Sequence, residues 1–222
     1  MERVEPNLIP RLQQSAIAHK LWKSVFLKQE AAAGKPQAVR YKPYDLRSLE
    51  DRITIAIAKK WDFKPDTLIE KKGQVMVNIV AVPYDFLPEQ VRAGIKKSLS
   101  VASVGIKARY NMLVEKRVKD ESYLTLDTKK DILTQIYNEI ARVKTLLVKQ
   151  QSGQKLSFKE KLLLRKSWVC QSAADIHVSW VEDNSQREEL KKAYDSLDPF
   201  EKEKDVVFLE AVALEKIYGL SH

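Results

Sequence analysis

Apolar side chains recur along this chain at helical spacing. The clearest stripe lies in segment 128–150, where apolar residues alternate at intervals of three and four and so share one face of a helix. Such a face packs either into the core of its own chain or against a partner helix, and both alternatives stay open here. As the candidate partner interface we take four residues of this stripe: Ile136, Ile140, Val143 and Leu147.

Helix start signals divide most of the remaining chain. Ser157 with Glu160, and Ser185 with Glu188, have the spacing of a capping box, in which the two side chains satisfy free amides at a helix start. Asp127 is a further candidate N-cap. The predicted helices cover 10–33, 46–62, 88–116, 128–150, 158–183, 186–197 and 199–218.

One segment has an ambiguous pattern. In 53–57 the side chains alternate as they do in a strand, but the alanine and lysines that follow favour a helix over 46–62. A strand is predicted at 74–82, which is rich in valine and ends before Pro83. With 6 glycines and 8 prolines in 222 residues, few tight turns are expected. The predicted fold class is mainly α, with helical repeat-like modules and one short strand or hairpin near 74–82.

The predicted elements group into four parts. Gly94 and Gly105 permit a kink or break in the helix 88–116, and 151–154 is the clearest linker. The parts are an N-terminal helix and linker (1–40), a first basic module (41–120), a connecting amphipathic helix (121–150) and a C-terminal three-helix module with an acidic tail (155–222).

Composition limits the class of protein. The 44% of hydrophobic residues can supply a core, no apolar run is long enough to cross a bilayer, and the first residues do not resemble a signal peptide. A single cysteine, Cys170, excludes an internal disulfide framework. We therefore expect a soluble intracellular protein, located in the cytoplasm, or in a virion if a phage encodes it.

Charge is distributed unevenly along the chain. Segment 1–180 holds 33 Lys and Arg against 19 Asp and Glu, whereas 181–222 holds 6 against 11. This polarity would favour head-to-tail self-association or docking on an anionic partner. Nonspecific nucleic-acid binding is an alternative, although the lysines are dispersed and no nucleic-acid motif accompanies them.

Catalytic and metal-binding motifs are missing from the sequence. Its three histidines, His19, His177 and His222, are scattered, and no glycine-rich phosphate loop or paired-histidine motif occurs. We therefore expect neither an enzyme nor a metal site, and no cofactor.

A short sequence motif, which we call the His-x-x-Trp phrase, occurs twice. A histidine precedes a tryptophan by three residues at His19 and Trp22, and again at His177 and Trp180. A Tyr-Asp pair follows each, which indicates a packing module used at least twice.

The second copy resembles the ryanodine-receptor repeat, a small helical module that also occurs alone in bacterial and phage proteins. The residues that carry this resemblance are His177-x-x-Trp180, Tyr194-Asp195-x-Leu197 and Glu201-Lys202-x-Lys204-Asp205.

The register of the first copy stays open. It either leads from His19 and Trp22 to Tyr44-Asp45, or begins near Tyr41 and passes through Trp61 to a Pro-Tyr-x-x-Leu-Pro-Glu stretch at 83–89.

The resemblance implies a non-enzymatic module that contributes interfaces, with nucleotide binding in some members of the family. The residues that would line a nucleotide pocket are Trp180, His177, Tyr194 and Lys204. We therefore predict an interaction or assembly protein, a structural or accessory component of a larger complex such as a phage or virus particle, with a protein partner that could be a second copy. The alternatives are a nucleic-acid-binding accessory protein and a module that binds a nucleotide such as ATP or ADP-ribose.

Overall fold

A computed structural model describes residues 14–35, 38–117, 124–183 and 192–220. These ranges are mainly helical, which confirms the predicted fold class. The elements are α1 (Gln14–Ala32), β1 (Tyr41–Pro43), α2 (Leu49–Ala58), β2 (Leu68–Lys71), β3 (Gln74–Asn78), a 3₁₀ helix (Tyr84–Phe86), α3 (Glu89–Arg117), α4 (Leu126–Gln151), α5 (Phe158–Lys166), α6 (Trp168–Asp183), a second 3₁₀ helix (Tyr194–Ser196) and α7 (Pro199–Gly219).

Helix α7 is the centre of the fold. Every residue from Glu203 to Ala213 is buried, and α1, α3, α4 and α6 all pack against it. A helix that is buried on all sides must find partners for any charge it carries, because an unpaired charge away from water is costly. Three acidic residues of segment 181–222, Glu203, Asp205 and Glu210, therefore lie in the core.

The carboxylates of α7 are engaged inside the bundle. Glu210 forms an ion pair with Lys144 of α4, and Glu203 accepts a hydrogen bond of 2.7 Å from the side-chain amide of Gln151. Asp205 lies 3.4 Å from a ring nitrogen of His177. These three acidic groups thus join the helices together inside the bundle.

Helix α4 directs its apolar stripe at α7. Ile136 and Ile140 are fully buried, and Val143 and Leu147 are 1% exposed. They belong to the hydrophobic core of this chain. These four residues therefore pack into the core of their own chain, and they present no surface to a partner.

Two predicted helix starts are corrected or refined. Thr125, not Asp127, caps α4, since its hydroxyl accepts from the Thr128 amide. Ser157 and Glu160 form the predicted capping box at α5.

The predicted helix 158–183 is interrupted, because Ser167 adopts an extended conformation between α5 and α6.

The predicted capping box at Ser185 and Glu188 lies outside the described residues. So does most of the predicted helix 186–197, of which the structure describes a 3₁₀ helix at Tyr194–Ser196.

A small antiparallel sheet has the strand order β1-β3-β2. Strands β2 and β3 form a hairpin, and its two turn residues, Lys72 and Gly73, both have positive φ angles, 53° and 73°. Mirror-image turns of this kind match the twist of paired strands. The predicted strand 74–82 stops at Asn78, while the ambiguous segment 53–57 belongs to helix α2, as predicted.

Helix α3 runs without interruption through both of its glycines. At Gly105 an added Cβ would lie 2.9 Å from the Ser172 Cβ of α6, whereas Gly94 has no atom within 4 Å of that position. Gly105 therefore serves the close approach of two helices and does not break α3.

Candidate functional site

The two His-x-x-Trp phrases lie on α1 and α6 and make equivalent hydrogen bonds. The His19 Nε2 lies 2.9 Å from the Ile79 carbonyl, and the His177 Nε2 lies 3.1 Å from the Lys192 carbonyl. A carbonyl oxygen only accepts, so each Nε2 carries the hydrogen. Both carbonyls belong to segments that lead into a Tyr-Asp 3₁₀ helix.

The two 3₁₀ helices also match. Each begins with a Tyr-Asp pair, at Tyr84 and Tyr194, and each ends where a leucine amide donates to the tyrosine carbonyl, at 3.0 Å from Leu87 and 3.1 Å from Leu197. A long helix follows both. Tyr44 is not part of such a turn, and its hydroxyl donates to the Phe86 carbonyl at 2.6 Å. By local geometry, the counterpart of the Tyr194 turn is therefore the Tyr84 turn.

The structure separates the four residues predicted to line a nucleotide pocket. Trp180 lines a cavity, whereas His177 and Tyr194 lie beside α7 and Lys204 of α7 faces α1. The His177 and Tyr194 rings are 6.2 Å apart, and the Tyr194 hydroxyl donates to the Lys202 carbonyl at 3.4 Å. The Lys204 ammonium donates at 2.6 Å to the side-chain carbonyl of Gln29. Packing contacts of α7 thus account for these three side chains.

Burial changes the acidity of this packed cluster. It raises the pKa of Asp205 to about 6, although the hydrogen bond from His177 favours the ionised form. Burial also raises the pKa of the Tyr194 hydroxyl. Burial opposes ionisation of Glu201 too, but the Lys204 ammonium and the other polar neighbours of this carboxyl together lower its pKa.

The cavity that Trp180 lines has a volume of about 380 Å³ and lies between α1, β1, α3, α6 and α7. Trp22 of α1 lines it as well, so the tryptophans of the two His-x-x-Trp phrases meet at one site. Its apolar lining includes Ile79, Ile95 and Phe208. The volume is typical of small-molecule sites, which span roughly 300–1,000 Å³.

Cations, but no carboxylates, occur among the described residues that line this cavity. The Arg40 guanidinium lies 5.3 Å from the centre of the Trp22 ring. The Lys97 ammonium donates at 3.1 Å to the Ser179 carbonyl and lies 3.6 Å from Glu182. Lys42 is the third cation. The lining therefore carries positive charge.

One buried hydroxyl at the cavity lacks a partner. Ser98 is 1% exposed, lines the cavity, and its Oγ forms no hydrogen bond within the part of the chain that the structure describes. Buried hydroxyls in native proteins are usually satisfied, since an unmade hydrogen bond costs roughly 1–3 kcal/mol. His19 lies nearby as a neutral ring, because burial lowers its pKa against the effect of its hydrogen bond to Ile79.

A second candidate site is the outer face of α2. Leu49, Ile53 and Ile57 lie one turn apart and are 64%, 51% and 47% exposed. Trp61, 57% exposed, extends this row past the end of the helix. We call these four residues the α2 face.

The opposite side of α2 faces the body of the protein, where Ile55 and Ala58 are buried. The α2 face was not predicted from the sequence, although its signal was visible. Ile53, Ile55 and Ile57 alternate, and a helix with this pattern carries isoleucines on both sides.

Membrane-spanning and metal-binding features do not occur in the described ranges. These residues contain no helix with the length and apolar character needed to cross a membrane, and no group of three or more His, Cys, Asp or Glu residues arranged to hold a metal ion.

Comparison with known proteins gives no relative: no family model, no curated protein and no solved structure matches this chain.

Proposed function

We propose that this protein is a non-catalytic interaction protein that docks a partner protein on the α2 face within a larger assembly. The observation that carries the proposal is the row of four large apolar side chains exposed at about half their surface or more. Single exposed apolar residues are normal on a protein, whereas contiguous apolar patches mark interaction sites.

The exposure of this face is not caused by a loosely attached helix. Asp51, which is 1% exposed, accepts hydrogen bonds from the amides of Glu89 at 2.7 Å and Asp45 at 2.8 Å. Arg92 of α3 forms an ion pair of 2.8 Å with Glu50. These polar contacts fix the rotation of α2 about its axis, so Ile53 and Ile57 point outward in the stable fold.

Trp61 supports a docking role in a different way. Its ring stacks on Phe63 at 6.0 Å and meets the edge of Phe86 at 4.9 Å, yet more than half of the side chain is exposed. A tryptophan held in place by other aromatic rings loses little conformational entropy on binding, and such residues dominate interface energetics.

Charges next to the α2 face favour an acidic partner. Arg52, Lys59 and Lys60 are exposed on or directly after the helix, and they outnumber the exposed carboxylates there, Glu50 and Asp62. In a symmetric pair of copies these cations would approach one another, whereas a partner with carboxylates around an apolar strip would pair with them.

Internal geometry supports the hypothesis of two modules. The paired His-x-x-Trp hydrogen bonds and the matching Tyr-Asp turns are what a duplicated unit would show. The resemblance to the ryanodine-receptor repeat remains a proposal that rests on the same residues.

Photo-crosslinking tests the docking proposal even when the partner is unidentified. A benzophenone amino acid at Ile53 should give an adduct of defined mass in the native source of the protein, and the same group at Val178, an exposed apolar residue of α6, should not. Sedimentation of the purified protein then shows whether the partner is a second copy. Equal adducts at both positions, or none at Ile53, would reject the α2 face as the docking site.

A second candidate function is nonspecific binding of a polyanion such as nucleic acid. The observation that favours it is the burial of three carboxylates in α7, those of Glu203, Asp205 and Glu210. Because these groups lie inside the bundle, they do not offset the charge of exposed lysines such as Lys71 and Lys72. Affinity for DNA or RNA should then fall steeply between low and moderate salt. An affinity that salt does not change would reject this candidate.

A further inference from the structure

We propose that helix α5 docks the protein on the surface of an anionic phospholipid membrane. This site is separate from the α2 face, and neither proposal depends on the other. Three features of α5 support it: an apolar pair at the centre of its outer face, cations on both sides of that pair, and a carboxylate that is turned inward.

The outer face of α5 has an apolar centre. Phe158 is 81% exposed, the largest exposed fraction of any large apolar side chain that the structure describes, and Leu162, one turn later, is 39% exposed. We call these two residues the apolar pair. Leu163 and Leu164 lie on the other side of the helix and pack against the hydrophobic core. In helices that bind membrane surfaces, exposed aromatic and leucine side chains enter the boundary between headgroups and acyl chains.

Internal contacts fix the side that α5 turns to solvent. Ser157 and Glu160 form the capping box at its first turn. The Glu160 carboxylate also accepts a hydrogen bond of 2.8 Å from the Lys149 ammonium of α4. Because this contact is made toward the body of the protein, it holds the apolar pair outward. The docking surface is therefore already formed in the free protein, and no folding step has to precede binding.

Cations lie on both sides of the apolar pair. At 3.6 residues per turn, Lys161 and Arg165 follow one edge of it. Lys159 and Lys166 follow the other edge, and all four are exposed, as is Lys155 just before the helix. Within the described ranges, none of these five side chains forms an ion pair or a hydrogen bond. The one carboxylate of α5 points inward, so the outer face of this helix carries positive charge alone.

The positive charge continues beyond α5. Lys166 also lines an open groove together with Arg109 and Arg142, and Arg142 of α4 is exposed. The carboxylate found among the described residues of this groove, that of Glu139, accepts hydrogen bonds from Arg109 at 2.8 Å and from the Trp168 indole. Arg142 therefore extends the cationic surface from α5 toward α4.

The apolar pair decides between the polyanions that such a surface attracts. Nucleic-acid bases are planar and stack on aromatic rings, which leaves no role for Leu162. A bilayer takes both side chains of the pair into its headgroup boundary, while lipid phosphates and carboxylates meet the lysines and arginines. With 9 residues, α5 is too short to cross a bilayer, so the docking is peripheral.

Flotation with lipid vesicles tests the proposal. The intact protein is mixed with vesicles of phosphatidylcholine and, in parallel, with vesicles of phosphatidylcholine and phosphatidylserine in equal parts. Binding to the mixed vesicles should be at least about tenfold tighter, because several cations lie near the anionic surface. Added salt should weaken the binding, since it screens these charges.

One pair of variants tests the apolar contact. Phe158→Gln should weaken binding to the mixed vesicles about tenfold, because the apolar surface of this side chain is no longer removed from water. Val178→Gln is the matched control, since Val178 is a 55% exposed apolar residue of α6, and it should leave binding unchanged.

A second pair of variants tests the charge. Lys161→Gln/Arg165→Gln should weaken binding about tenfold or more. Lys20→Gln/Lys28→Gln removes the same charge from exposed positions of α1 and should change binding little. All of these positions are exposed, so circular dichroism should show that each variant remains folded.

Three results would overturn the proposal: no binding to the mixed vesicles, equal binding to both kinds of vesicle, or binding that the α5 variants leave unchanged. A single-stranded DNA oligomer is the competing probe. If it binds more tightly than the mixed vesicles and loses affinity in the same α5 variants, this helix binds nucleic acid and the membrane proposal is wrong.

Discussion

Gly105 of α3 and Ser172 of α6 lie in direct contact, so close that an added Cβ at Gly105 would stand 2.9 Å from the Ser172 Cβ. This approach sets the distance between the two helices. Because α3 carries Lys97 and Ser98 and α6 carries Trp180, the same approach fixes the position of opposite walls of the cavity.

Gly105→Ala should therefore push α3 and α6 apart. We expect the free energy of unfolding to fall by roughly 1–3 kcal/mol, the usual cost of overpacking. Urea denaturation followed by circular dichroism measures the change. The double variant Gly105→Ala/Ser172→Gly should recover part of the loss, and a single variant as stable as the wild type would contradict the close contact.

Asp205 predicts a specific pH dependence of stability. Burial raises its pKa from an ordinary value of 3.8 to about 6, so the folded protein holds this proton more tightly than the unfolded chain does. The stability that the folded protein gains by holding this proton on Asp205 is complete below pH 4 and is lost as the pH rises through 6.

Asp205→Asn removes this titration and keeps an oxygen next to His177. The stability of the variant relative to the wild type should rise by about 2–3 kcal/mol between pH 4 and pH 7. Thermal or urea unfolding of both proteins at the two pH values measures it. A difference that does not depend on pH would show that Asp205 titrates normally.

The ion pair between Lys144 and Glu210 tests whether the acidic residues of α7 hold the bundle together. Lys144→Met leaves the Glu210 carboxylate in a site where it is 10% exposed. Breaking a buried pair in this way costs about 3–5 kcal/mol, and incomplete burial of Lys144 places the expected loss toward the lower end. Urea unfolding measures the loss. The double variant Lys144→Met/Glu210→Leu should regain much of the stability, since it leaves no unpaired charge.

Ile53→Glu/Ile57→Glu tests whether the α2 face is needed for folding. Both side chains are about half exposed, so the free energy of unfolding should change by no more than about 0.5 kcal/mol, as is usual at surface positions. The melting temperature of the purified protein should therefore change little. Partner binding should be lost. Ile55→Glu, on the buried side of the same helix, is the contrasting variant and should unfold the protein. A strong loss of stability in the first variant would mean that the face belongs to the core.

Local signals in the sequence predicted the parts of the fold that depend on local interactions. The stripe through Ile136 and Ile140 predicted the buried side of α4, because one face of a helix must meet the core. Ser157 and Glu160 predicted a helix start, because a capping box is completed within four residues.

The sequence could not show which distant residues would meet. Burial of Glu210 depends on Lys144, and burial of Asp205 depends on His177, which lies on another helix. Trp22 and Trp180 were recognised as equivalent, but their position at one cavity follows from the packing of α1 and α6 around α3 and α7. The α2 face was missed because helical periodicity shows that a residue is apolar and does not show whether another element covers it.

Accessibility of position 53 within the native assembly tests the central claim most directly. Ile53→Cys and, as a control, Val178→Cys are labelled with a maleimide in a fresh extract of the native source and again after purification. Cys170 contributes little background, since burial raises the pKa of its thiol to about 11. A partner on the α2 face predicts slow labelling at position 53 in the extract and fast labelling after purification, with no change at position 178. Equal rates at position 53 in both samples would contradict the proposed function.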